Sequence, residues 1–172
     1  MQKRFNLNIK HSTLILLTLF CAFLFHTHAS CSLKNSRTEI AFNKQGTITI
    51  TNSLDNEIVF DIEIADNVWS QAQGLMFRYK LDPHQGMFFI FENEDYRTFW
   101  MKNTYLSLDI IFIDADFYIV DIFENAFPLS EETILSKLPA KYTLEILGGR
   151  SKSLGITIGD LVFFERDYSI SR

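Results

Sequence analysis

The feature that most restricts this chain is that its densest apolar segments are strand-length and end abruptly. "MFFIF" (87–91), "LDIIFI" (108–113), residues 117–123 and residues 161–164 are apolar on both alternating faces, which suits strands covered on two sides. "EIVFDIEIAD" (57–66) instead alternates, placing Ile58, Phe60, Ile62 and Ile64 on one face and Glu57, Asp61 and Glu63 on the other. That pattern predicts an antiparallel strand with one wet face. "TITI" at 47–50 reads the same way. Short strands without a strand–helix–strand rhythm predict an all-β, single-domain sandwich or barrel.

Two short helices decorate that prediction. In "DNVWSQAQGLMFR", Asp66 or Asn67 can cap a helix in which Val68, Ala72, Leu75 and Met76 fall near helical spacing, although Gly74 weakens it. A second is expected at Ser130–Lys137, where Ser130 supplies a cap. "DAD" at 114–116 is expected to be a hairpin turn and Gly148-Gly149 a strand-ending turn, in preference to calcium and phosphate loops respectively.

Before the domain come Lys3, Arg4 and Lys10, then the twelve-residue apolar run Leu14–Phe25. This is the length of a signal peptide and too short for a membrane span. Two exits compete. Thr27-His28-Ala29 resembles a small-x-small cleavage site, which makes a soluble mature chain beginning at Ser30. His28-Ala29-Ser30-Cys31 resembles a lipobox with His28 where leucine is expected, and it would leave a lipid on Cys31. The expected organisation is a leader at 1–30, a polar tether at 31–38, the β domain at 39–166 and a tail at 167–172. Either exit makes an exported protein, periplasmic, secreted or lipid-anchored.

Export changes the chemistry available. The chain has 16 Lys+Arg against 21 Asp+Glu, and without the three leader cations the balance falls to −8. Nucleic acid and anionic membrane surfaces are thereby disfavoured as partners, and contact with a membrane rests on the lipid at Cys31. Cys21, His11, His26 and His28 leave with the leader, so Cys31 and His84 are the last of their kinds. No Cys/His or multi-His metal site can be built, no disulfide can close within the chain, and nothing in the motifs calls for a cofactor. His84, in "LDPHQG", reads as a solvated turn residue.

The stretches "GLMFRYKL" (74–81), "GMFFIF" (86–91), "FWMKNTYLSLDIIFID" (99–114), "YTLEILGG" (142–149) and "GITIGDLVFF" (155–164), in this order and spacing, resemble the bacterial and archaeal family called domain of unknown function 192. The resemblance covers about Glu57 to Phe164. It implies a compact β-sandwich of jelly-roll type, usually exported or lipid-anchored, with no established activity. Ser107 stands where the family has proline, and the turn 114–117 lacks its common glycine.

The candidate site comes from charged and polar residues set among apolar neighbours: Arg78, Trp100, Lys102, Asn103, Thr104, Asp109 and Glu145. A half-buried carboxylate needs a partner, and for Asp109 the candidates are Lys102, Arg78 and turn amides. Three readings follow. Ion pairs and side-chain-to-backbone bonds could pin turns and register. A ligand cleft could use Trp100 as a wall, Arg78 and Lys102 for an anion, and Asn103, Thr104 and Asp109 for the hydroxyls of a sugar or small polar molecule, with Glu145 in the same cluster. A hydrolase or lyase could use Asp109 and Glu145 as acid and base. "KNT" (102–104) is expected to bend the chain at the rim, with the Lys102 stem against Trp100 or a neighbour.

Overall fold

The structure, a computed structural model, describes residues 40–168. The expected leader, its two exits, Cys31 and the tether lie outside the described residues. Along the chain run β1 (Gly46–Thr51), β2 (Glu57–Ala65), α1 (Val68–Gln73), β3 (Gln85–Asp95), β4 (Thr98–Phe99), β5 (Leu108–Ile113), β6 (Ile119–Ala126), β7 (Ile134–Leu135), β8 (Ala140–Leu147), α2 (Arg150–Leu154) and β9 (Leu161–Arg166). Seven strands form one sheet in the order β6-β5-β8-β3-β2-β1-β9, and β4 pairs with β7 as a small ribbon. The β2–β3 pair is parallel; its neighbours in the sheet are antiparallel.

The sheet curls until its two edges touch. Tyr118, just before β6, bridges Leu161 of β9. The Ile119 amide donates to the Asp160 carbonyl (3.0 Å) and the Val162 amide to the Phe117 carbonyl (2.8 Å). Edge groups that would otherwise face another chain are thus partly spent within this one. The all-β sandwich or barrel expected from the strand pattern is the architecture found.

Two cores flank the middle strands. Inside the curl, Ile48, Phe60, Ile62, Phe88, Ile111 and Leu144 pack with their neighbours. On the outer face of β3, β5 and β8, Phe89, Met87, Ile110 and Phe112 pack against Leu75 and Met101 from covering loops and Ile134 of β7. This double cover is why β3, β5 and β8 are apolar on both faces, since each alternate residue meets a different hydrophobic layer.

Register decides which layer a side chain enters. Asp109 of β5 lies opposite Ile146, whereas Ile110 lies opposite Glu145, and Glu145 in turn lies opposite Met87. Asp109 therefore points to the inner side with Ile111 and Ile113, and Glu145 to the outer side with Met87 and Ile110.

Three local expectations need correction. No helix forms at Ser130–Lys137; Ile134 and Leu135 pair with Phe99 and Thr98 instead. The Ser130 carbonyl, which would accept the first helical bond, accepts from the Met101 amide (2.9 Å). Its hydroxyl accepts from the Glu132 amide (3.1 Å), a local turn that competes with helix. The second helix is α2, directly after the turn at Gly148-Gly149. Lastly, the wet face of β2 is incomplete, because Glu63 is buried. The first helix forms with its expected cap but stops at Gln73, before Leu75 and Met76, and Val68 is exposed; Asn67 accepts from the Trp69 and Ser70 amides (3.1 Å each), which gives donors at the helix start a partner.

A carboxyl pocket between covering loops

The candidate residues divide into three groups. Asp109 is fully buried and fully occupied. One oxygen accepts from the amides of Asn125 (2.8 Å) and Gly149 (2.9 Å); the other accepts from the Ser151 amide (2.9 Å) and hydroxyl (2.6 Å). Asn125 and Gly149 are both left-handed, with φ of 54° and 79°, which turns their amides toward the carboxylate. Asp109 thus ties β5 to β6 and to the start of α2. Such multiple donation is what makes a buried carboxylate tolerable.

Arg78 does not reach Asp109. It is buried and ion-paired with Glu63, a residue the alternation of β2 had placed in solvent. Glu63 also accepts from the Asn43 amide (2.6 Å). The pair fastens the loop after α1 to β2.

Residues 101–104 form the expected turn. The Thr104 amide donates to the Met101 carbonyl (3.0 Å), and Asn103 sits at φ 56°, a conformation asparagine tolerates better than most residues. The Lys102 ammonium lies 5.1 Å from the Trp100 ring centroid and 3.9 Å from a Glu131 oxygen, with its side chain 42% exposed.

The third group surrounds Glu145. A pocket of about 30 Å³ is lined by Glu145, Gly74, Phe89, Phe99, Trp100 and Thr104, with Gln71 nearby. It has room for one or two water-sized groups. Burial pushes the Glu145 carboxyl up to about 8, against a single downward influence from the Leu75 amide that it accepts. Its Oε2 is buried and has no hydrogen-bond partner in the protein. Gly74 borders this space. A Cβ there would come 3.6 Å from Oε2 and 3.3 Å from Phe89, and its φ of +50° disfavours any other residue.

The loops around the pocket hold one another. The Phe77 amide donates to the Asn103 carbonyl (2.8 Å) and the Leu129 amide to the Thr104 carbonyl (3.0 Å), while Tyr79 and Tyr105 stack with centroids 4.6 Å apart. Phe77 and Leu129 are left-handed at φ 64° and 62°, a strained state for bulky side chains that persists where the surroundings impose it.

So the structure gathers Glu145, Trp100 and Thr104 at one pocket, with Lys102 over the Trp100 ring and Asn103 in the turn outside the lining. It places Asp109 and Arg78 elsewhere. The acid–base pair of Asp109 and Glu145 does not assemble, because neighbouring register positions put the two on opposite faces of the sheet. Sequence reasoning missed Glu63, Ser151, Phe89, Phe99 and Gly74 as partners. Gly74 alone had left a trace, as a glycine interrupting a helical pattern. Among the described residues no helix is long and apolar enough to cross a membrane, and no three His, Cys, Asp or Glu side chains come together as a metal site would require.

Fold and pocket define a small curled β-sheet domain with a buried carboxyl group beneath loops. The chain belongs to the DUF192 family, described as an uncharacterized ACR, whose profile matches residues 49–164. Two solved structures are similar. A protein from Sinorhizobium meliloti 1021, provisionally described as a transcription regulator, is 36% identical with a TM-score of 0.69, over 73% of this chain and 97% of that one. A protein of unknown function from Novosphingobium aromaticivorans DSM 12444 is 40% identical with a TM-score of 0.66, over 68% and 83%. Among curated proteins nothing matches.

Proposed function

We propose that this protein is an exported binding module that holds a small polar ligand in the pocket at Glu145. The observation that carries this is the unpartnered, buried Glu145 Oε2 at the end of an aromatic-walled pocket. Leaving a buried polar atom unpaired costs about 1–3 kcal/mol, and a ligand supplying the missing hydrogen bond recovers that energy. Strain at Phe77 and Leu129 in the covering loops supports the same location. Asp109 and Arg78 belong to the framework: four donors surround Asp109, and Arg78 is ion-paired with Glu63 although its Nε is also buried without a partner. A transcription role, the description carried by the Sinorhizobium protein, calls for a basic surface against phosphate, whereas this chain has a net charge of −5.

Thermal-shift screening against sugars, amino acids and small ions tests the reading, because binding to the native state raises stability by mass action. A stabilising hit that Trp100→Ala loses is expected. A broad screen in which no compound stabilises the protein would leave Glu145 as a feature of the framework. Export is tested by intact mass of the mature protein: a chain starting at Ser30 marks simple cleavage, a lipid-bearing Cys31 marks an anchored form, and an unprocessed Met1 rejects both.

A further inference from the structure

We propose that the Glu145 pocket takes a primary ammonium group carried on a short apolar stem. This rests on the binding reading above and names its ligand. Three features converge. Among the described residues, neither cation of the surrounding loops pairs with Glu145: Arg78 is held by Glu63, and Lys102 lies over the Trp100 ring while Glu145 Oε2 has no hydrogen-bond partner. Glu145 therefore has no countercharge of its own, which a ligand cation provides. The walls Phe89, Phe99 and Trp100 offer ring faces that attract cations, and Trp100 already carries the Lys102 ammonium 5.1 Å from its centroid. The remaining polar lining can accept. Thr104 Oγ1 donates to the Lys102 carbonyl (3.3 Å) and keeps its lone pairs, and Gln71 donates through Nε2 to the Ile90 carbonyl (2.8 Å) and keeps its amide oxygen.

Size agrees with this assignment. A space of about 30 Å³ admits a head group the size of water and excludes a sugar ring. The stem would then lie toward the mouth across Trp100, which is 48% exposed.

The proton balance is simple. Glu145 is mostly protonated at neutral pH because of its burial. When the ammonium enters, the carboxyl O–H breaks, its proton goes to solvent and the carboxylate pairs with the cation. Glu145 is the titratable side chain of the pocket lining. Lys102 and Glu131 stand at the rim, and the Arg78–Glu63 pair holds the adjoining loop.

The test is calorimetric titration of the protein with n-butylammonium chloride, with n-butanol as the neutral counterpart. Butylammonium is expected to bind and butanol not to. At pH 7, buffers of different ionisation enthalpy should reveal release of close to one proton. Apparent affinity should rise about tenfold per pH unit below about 8 and then level off, since proton and cation compete for one group. Glu145→Gln, which keeps shape and hydrogen bonding, should abolish binding, and Trp100→Ala should weaken it in a chain whose core is untouched. L-lysine binding as well as butylammonium would assign the ammonium to an amino-acid side chain; butylammonium binding alone would assign it to a free amine. The proposal is overturned if butanol binds equally, if no proton is released at pH 7, or if Glu145→Gln binds like wild type. A neutral hit lost in Trp100→Ala, with no butylammonium binding, would overturn the ammonium assignment and leave the binding module standing. Failure of every ligand would remove both.

Discussion

Asp109 and Glu145 occupy neighbouring positions in the paired strands β5 and β8, both buried, both carboxylates, and they have opposite fates. Asp109 faces the inner core yet accepts four hydrogen bonds from Asn125, Gly149 and Ser151. Glu145 faces the outer layer, has the Leu75 amide for company, and ends in an oxygen without a partner. The difference teaches that burial alone does not say what a charge is for. A carboxylate surrounded by fixed donors holds the fold together, and one left short of donors is available for something else.

Arginine and aspartate in the framework should show the largest losses. Removing Arg78 as Met leaves Glu63 buried without its cation, and a cost of about 3–5 kcal/mol is expected. Asp109→Asn should follow at about 3 kcal/mol, because one carboxylate oxygen becomes an NH₂ facing amide donors. Urea denaturation of both variants checks the values. A loss below about 1 kcal/mol for Asp109→Asn would break the contrast, since Asp109 would then be no more embedded than Glu145.

Glu145→Gln should behave in the reverse way, and its sign depends on pH. The folded carboxyl titrates near 8 against 4.5 ordinarily, so between these values the unfolded chain releases a proton that the folded chain keeps. Stability is full below the lower value and falls as pH rises toward the upper one. The glutamine has no such slope. It should match wild type near pH 4 and exceed it above pH 8, by an amount on the order of 5 kcal/mol at most. Denaturation curves at pH 4, 7 and 9 measure the difference. A constant gap across pH would mean that Glu145 ionises normally in the folded state.

The smallest effect sharpens the border between the two regions. Lys102→Met removes a half-exposed ammonium whose partners are the Trp100 ring and a distant Glu131 oxygen. It should cost less than about 1 kcal/mol in stability, as exposed pairs do. A larger loss in the same denaturation assay would make the rim part of the framework and not the entrance of a pocket.

Much of this could be read along the chain, for physical reasons that stay local. Strand segments follow from alternation in β2 and from strand-length apolar runs elsewhere, so β5 begins and ends where its apolar run does. Asn67 is visible as a cap because its partners are Trp69 and Ser70. The turn at Lys102–Thr104 is visible because Asn103 accepts a left-handed backbone. The helix expected at Ser130–Lys137 failed for the opposite reason, since the Met101 amide claims the Ser130 carbonyl from a distant segment. Glu63 was misplaced in solvent because alternation reports the face of a strand and not what later covers it.

What the sequence by itself determined is that β strands would form and that Arg78, Asp109 and Glu145 would be charges among hydrophobic neighbours, each in need of an explanation. Which explanation applies was decided only by tertiary structure. Asp109 finds its donors 16, 40 and 42 residues away, and Arg78 finds Glu63 15 residues back. A side chain's face depends on register, and one step of register exchanges the inner layer for the outer. Local propensity carries no information about that step, because the hydrogen bonds that fix it join strands far apart in the chain.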